Sequence, residues 1–283
     1  MGYMFNYLGP WRQQIPILAG HRKRRARLTF AEGEFAAVYA MSDVHGCYNE
    51  LVEAHRRIEA DAARIPGPKL IVMLGDYVDR GPDSSAVLEF LSKSPPPGFQ
   101  RFVLCGNHDS ELVQLYRKPA RILEWLGFAG TETLHSYGID IEHLLQSAAG
   151  SETIARVIRN MIPERHIEFL ESLPIMLRMG RVLFVHAGIK PGIDLKKQKD
   201  SDLMLHRADA KPLTRRDICH LCCRPHLFSM ACSQLARIEA SSETGAKMAF
   251  DAENPFGDWF RRGALGDVCR PGDFACARAA ARG

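Results

Sequence analysis

The residues best suited to chemistry fall in one seven-residue stretch, Gly75-Asp76-Tyr77-Val78-Asp79-Arg80-Gly81. Two carboxylates three positions apart cannot both enter a core without partners, because burying an unpaired charge is costly. A cation is the natural partner for Asp76. Arg80 carries a planar fork of donors that suits a bound phosphate. The same residues would also suit a solvated acidic loop, so the stretch by itself leaves both readings open.

The elements that must position it are strands. Leu70-Ile71-Val72-Met73-Leu74 is an apolar run that reads as a strand buried on both faces. In open α/β sheets, ligands sit beyond the carboxyl ends of such strands. Three more apolar runs end the same way. Residues 35–41 lead into Asp43-Val44-His45-Gly46, residues 100–105 into Gly106-Asn107-His108-Asp109, and residues 181–185 into His186-Ala187-Gly188. Each ends in metal-ligand residue types beside a glycine.

Between the first three runs lie amphipathic helical patterns, one beginning near Asn49 and one over Ala86–Leu91, with Ser84 and Ser85 as candidate caps. Strand, helix, strand, helix, strand at this spacing predicts an α/β layered fold with crossover connections. Residues 110–175 contain no strand-like runs and read as five short helices over 111–116, 120–125, 141–145, 153–161 and 165–170.

The chain has 283 residues, 46% of them hydrophobic, enough for one large domain or a domain plus an appendage. A net charge of +4 with 25% charged residues gives no global reason to expect a nucleic-acid partner. No apolar window is long enough for a membrane span, and residues 1–30 read as an irregular leader with a basic run, His21–Arg27. That run suits a solvated linker, or contact with an acidic partner or membrane surface. A cytoplasmic location is expected, and with it eight cysteines without a disulfide framework.

The four motifs, in this order, strongly resemble those of the calcineurin-like metallophosphoesterases, and within them the bacterial serine/threonine phosphoprotein phosphatases. The resemblance covers roughly residues 30–205. It implies a layered α/β/β/α sandwich: a catalytic domain over 31–205, with residues 110–175 as a helical insert above the site. It implies two divalent metal ions, Mn²⁺ first, with Fe or Zn as alternatives. Asp43, His45 and Asp76 are expected to hold one ion, Asp76 to bridge, and Asn107 and His186 to bind the second. His108 is expected to act as general acid oriented by Asp79, with Arg80 and Asn107 binding the substrate phosphate. The substrate implied is a phosphoprotein or a phosphorylated small molecule. A symmetrical dinucleoside tetraphosphate hydrolase and an inactive relative that binds a phosphorylated partner are the alternatives.

Residues 206–283 depart from the family pattern. The expected Trp-Ile-Arg, Gly-His-Thr and Asp-Thr-Gly segments are absent, and a reading-frame change in the gene near residue 206 would account for the shift. Cys219-x-x-Cys222 invites a zinc reading but lacks a convincing second ligand pair. Arg207 lies near the position of a second phosphate-binding arginine. His226, with His206 and His220 behind it, is the candidate for the missing second-ion histidine. One ion bound well and a second bound weakly is the resulting expectation.

Overall fold

The computed structural model describes residues 24–205, apart from 120, 121, 128, 148, 181 and 191, together with the backbone of three later strands. The apolar runs become β2 (Ala37–Met41), β3 (Lys69–Met73), β4 (Phe99–Val103) and β6 (Val182–Val185). Strands β2, β3 and β4 are parallel, because α1 (Tyr48–Ala62) and α2 (Ser84–Ser92) carry the chain back between them. Met41 pairs with Met73 and Met73 with Val103, so the three strands end flush.

Beyond residue 206, β8 (Leu235–Glu239) adds antiparallel to β2, and β9 (Lys247–Phe250) adds antiparallel to β8. In sequence these two strands bracket Glu243-Thr244-Gly245, one methylene away from the expected Asp-Thr-Gly. The second sheet runs β1 (Arg27–Phe30), β5 (Met176–Met179), β6, β7 (Cys219–Leu221).

Alternation of side chains along each strand separates two cores. Val38, Ala40, Leu70, Val72, Leu74 and Phe102 meet Leu177, Met179, Val182 and Phe184 between the sheets. Tyr39, Met41, Ile71, Met73 and Val103 belong to the outer core, with Leu51 and Ile58 of α1 and Val87, Leu88 and Leu91 of α2. The fold is the α/β/β/α sandwich expected.

Five strands were not legible in the sequence: β1 and β5, and β7, β8 and β9 beyond residue 206. Strands β1 and β5 have four residues each and carry an arginine, too short and mixed for a periodicity argument. Strand β1 also lies inside the expected irregular leader. The described part of the basic run is not a free cationic surface. Arg25 Nη1 donates to the carbonyls of Leu170 (2.7 Å) and Leu173 (3.1 Å) at the end of α8 (Glu164–Ser172), and Arg27 Nη2 pairs with Asp200 Oδ1 at 2.8 Å. Cations there complement the negative end of the helix dipole.

The insert holds α3 (Asn107–Arg117), α4 (Ile122–Leu126), α5 (Thr131–Ser136), α6 (Ile141–Gln146), α7 (Ser151–Met161) and then α8. Helix α5 is the one the sequence reading missed. Cys47 and Cys105 are free thiols. Among the described residues, no helix is long and apolar enough to cross a membrane.

His55, on the buried face of α1, donates Nδ1–H to the Leu51 carbonyl at 2.9 Å, while its Nε2 has no hydrogen-bond partner among the described residues. Burial lowers its pKa from the ordinary 6.5 to about 4, against the backbone hydrogen bond and assisted by Arg101. The folded state therefore keeps His55 neutral where the unfolded chain takes up a proton. Stability from this group is full above pH 6.5 and is lost as pH falls towards 4. Urea unfolding of His55→Leu should lose about 2 kcal/mol less than the parent between pH 7 and pH 5. Parallel stability curves for the two proteins would show that His55 does not carry this acid sensitivity.

Candidate active site

The loops after β2 and β3 are laced together by backbone. Asp43 N–H donates to Gly75 O (3.2 Å), His45 N–H to Asp76 O (2.9 Å) and Gly46 N–H to Tyr77 O (2.9 Å). Asp43, His45 and Asp76 have φ of +49°, +42° and +59°, a left-handed backbone rare outside glycine. Gly106 is needed for a different reason: a Cβ there would strike the Asp76 carboxylate and amide.

Asp76 is the hub. Its Oδ1 accepts the His108 backbone N–H at 3.0 Å. Its Oδ2 faces the Nε2 atoms of His186 (3.3 Å), His45 (3.7 Å) and His108 (4.0 Å). His45 Nδ1 is bonded to Val78 O (2.8 Å) and His186 Nδ1 to Leu74 O (3.0 Å), so in each ring it is Nε2 that turns inward as a donor atom for a metal. Asn107 Oδ1 lies 3.0 Å from His186 Nε2. The ligand atoms form two groups that share Asp76: His45, Asp76 and His108, and Asp43, Asp76 and His186. Burial alone would raise the Asp76 pKa, but His186, His108 and His45 outweigh it and hold the carboxyl well below the usual range. Burial is the largest influence on His45 and lowers its pKa, favouring the neutral imidazole that ligates metals.

A second arrangement abuts the first. His108 Nδ1 donates to Asp79 Oδ2 at 2.7 Å, and His108 Nε2 lies 3.4 Å from Arg80 Nη2. Burial works against protonation of His108, but the bond to Asp79 and the charge of Asp76 prevail and raise its pKa. Asp109 accepts three backbone N–H groups, from Gly106 (2.8 Å), Asp76 (2.9 Å) and Tyr77 (2.8 Å). Its carboxylate thereby fastens the loop after β4 to the loop after β3.

Asp43, His45, Asp76, Asp79, Arg80, Asn107, His108 and His186 thus converge as expected from the sequence. Arg207, His206 and His226 lie outside the described residues, as does the side chain of His220. A cavity of about 410 Å³ opens beside Asn107, with Ser110, Leu115, Trp125 and Met204 among its walls. Ser84 and Ser85 lie in the first turn of α2 instead of capping it. Ser84 Oγ is 3.2 Å from the Asp79 N–H and 3.1 Å from Thr133 Oγ1, and Ser85 Oγ donates to Ser136 O at 2.7 Å. Thr133 and the clamp by Asp109 were missed. Asp109 was visible in its motif with no role, and Thr133 sits on the short helix that has no pattern of its own.

A family model for calcineurin-like phosphoesterases matches residues 36–223. The chain belongs to that family. Its relatives include an asymmetrical bis(5'-nucleosyl)-tetraphosphatase of Bacillus velezensis, 28% identical over 53% of this chain and 55% of its own length. Another is a symmetrical bis(5'-nucleosyl)-tetraphosphatase of Nitrosococcus oceani, 25% identical over 64% of this chain and 59% of its own. The chain therefore spans a little over half the length of these relatives. Among solved structures, a cold-active protein-tyrosine phosphatase of a Shewanella species aligns over 61% of this chain and 47% of its own, at 22% identity and a TM-score of 0.38.

The donor chemistry of this metallophosphoesterase fits divalent ions. Asp43 Oδ1 and His45 Nε2 are buried without a hydrogen-bond partner among the described residues, and a metal would supply one. Mn²⁺ at a hundred times its dissociation constant should stabilise the fold by about 2.7 kcal/mol, a melting-temperature rise of roughly 5–10 °C. Asp76→Asn should remove most of that rise in a thermal-shift measurement. An unchanged rise in the variant would place the ion elsewhere.

Proposed function

We propose that this chain hydrolyses phosphomonoesters with two divalent ions, water attacking phosphorus in line and no covalent enzyme intermediate forming. The observation that carries the reading is the buried His108–Asp79 pair, set against a cluster of imidazole and carboxylate donors. Asp43, His45, Asp76, Asn107 and His186 would hold the ions. When bound, such ions neutralise charge on the phosphoryl group and make water more acidic. Arg80 grips the phosphoryl oxygens with its guanidinium fork, next to Asn107. His108 gives the proton on Nε2 to the departing oxygen, and Asp79 holds Nδ1–H so that the ring keeps that edge forward.

An acid so arranged matters most where the leaving group is a poor one, such as the alkoxide of phosphoserine or phosphothreonine. That, with Val78-Asp79-Arg80-Gly81, supports a cytoplasmic serine/threonine phosphoprotein phosphatase. The names of the curated relatives favour a second reading, cleavage of bis(5'-nucleosyl) tetraphosphates, whose phosphate leaving groups need little protonation.

The test is Mn²⁺-dependent turnover of p-nitrophenyl phosphate, a phosphothreonine peptide and a dinucleoside tetraphosphate by the same preparation. His108→Asn should lower kcat on the peptide by about 10²–10⁴-fold, far more than on p-nitrophenyl phosphate, with metal content retained. An equal loss on both substrates would remove His108 as the acid. Asp76→Asn should cost at least about 10³-fold on every substrate, the scale of losing a principal electrostatic stabiliser. Preference for the tetraphosphate over the peptide by the unmodified chain would select the second reading.

A further inference from the structure

Asp79 has two carboxylate oxygens, and only one is used by His108. The other, Oδ1, accepts the hydroxyl proton of Thr133 at 2.8 Å. The same Thr133 Oγ1 accepts the backbone N–H of Asp79, also at 2.8 Å. A threonine hydroxyl has one proton and two acceptor positions. Its proton is committed to Asp79, so Ser84 Oγ, 3.1 Å away, is the donor in the remaining contact. Thr133 is therefore fully satisfied and fully buried, as are Asp79 and Ser84. It comes from α5 of the helical insert, 54 residues away in sequence.

The backbone it meets is strained. Asp79 and Arg80 have φ of +71° and +69°, a conformation that non-glycine residues keep only where their surroundings over-determine it. Besides Thr133 and Ser84 on the Asp79 N–H, the Arg80 N–H donates to Ala129 O at 3.3 Å, again in the insert and again on left-handed backbone (φ +79°). The helical insert thus holds both the carboxylate that orients His108 and the backbone that presents the Arg80 guanidinium.

We infer that Thr133 is a positioning residue for proton transfer, fixing the rotation of the Asp79 carboxylate so that Oδ2 aligns the His108 ring. The inference rests on the reading of His108 as the acid and deepens it by assigning the insert a part in the chemistry. A carboxylate held at one oxygen only can turn about its last bond, and the imidazole hydrogen-bonded to it tilts with it. Ser84 can still receive the Asp79 N–H if the Thr133 hydroxyl is lost, so removing the hydroxyl unlocks the carboxylate while the loop keeps a partner.

The experiment compares Thr133→Val with Thr133→Ser in the full chain. Thr133→Val should lower kcat on a phosphothreonine peptide roughly 10–100-fold, the usual cost of an outer partner, and on p-nitrophenyl phosphate only a few-fold. KM and Mn²⁺ content should stay unchanged, and Thr133→Ser should recover most of the loss. The companion readout needs no turnover. The downfield proton resonance of His108 Nδ1–H, bonded to Asp79, should shift or broaden in Thr133→Val and return in Thr133→Ser. Equal losses on the two substrates, or an unmoved resonance, overturn the inference and leave the hydrolase reading standing. If the unmodified chain hydrolyses neither substrate, that reading falls, and the resonance still decides whether Thr133 positions His108. Should Thr133→Val fail to fold by circular dichroism, Thr133→Cys, of similar volume and with a weak donor, takes its place under the same outcomes.

Discussion

A buried anion governs this site. Asp76 is 5% exposed, and its Oδ2 faces three imidazole nitrogens. A carboxylate taken from water into such surroundings is costly unless cations or oriented donors replace its hydration. The fold brings those donors from three directions: the His108 amide to Oδ1, His186 from the opposite sheet, and His45 from the neighbouring strand end. The alignment of Met41, Met73 and Val103 across the parallel strands is what allows three consecutive loops to reach one oxygen. Had β3 slipped by one residue, every side chain along it would change face. The site and the register of the sheet are therefore one constraint.

The local backbone conforms to that constraint at a cost. Of the six described non-glycine residues with positive φ, five belong to the site: Asp43, His45, Asp76, Asp79 and Arg80. Each such residue costs on the order of 1 kcal/mol or more, so the loops need fastening from outside themselves. Asp109 supplies it between the loops after β3 and β4, collecting three amides on one carboxylate. Burial, with Asp76 nearby, pushes its pKa up to about 6, against the hydrogen bonds from the Tyr77 and Gly106 amides, which favour the charged form. The glycines serve the same end by letting backbones touch. A Cβ at Gly46 would come within 2.5 Å of Gly81 O, and one at Gly75 within 2.6 Å of the Gly106 amide.

What the sequence made legible follows from the same physics. Strands buried on both faces are written as unbroken apolar runs, and the polar residues that end them stand out against that background. Strands β2, β3, β4 and β6 and the eight converging side chains were read that way. Strands β1 and β5 were lost because four residues with an arginine carry no period. Helix α5 was lost because its six residues, Thr131–Ser136, contain one deeply buried apolar side chain, Leu134, and several polar ones whose partners lie far off in sequence. Thr133 and Ser136 look like surface residues until α2 is seen beside them.

The site thus draws on two kinds of support with different mechanical characters. Four of the five proposed ligands stand just beyond strand ends, where a hydrogen-bonded sheet fixes position, and Asn107 opens α3. The proposed acid stands on α3 and takes its orientation through Asp79 from α5, which adds polar contacts to the apolar core that the insert shares with the outer face of the sheet. Ser85 and Ser136 join α2 to α5. Tyr137 O–H donates to His166 Nδ1 at 2.8 Å, and His166 Nε2 lies 3.2 Å from Glu89 on α2. Burial lowers the His166 pKa, so this link operates through a neutral imidazole wedged between two helices. Polar contacts of this kind are directional and tolerate little displacement, unlike apolar packing, which accommodates volume-conserving change. An insert that varied freely to suit new substrates would therefore disturb the acid as it moved. The insert is thus tied to the site twice, through Thr133 of α5 to Asp79 and through Asp109 of α3 to the loop that carries Asp76.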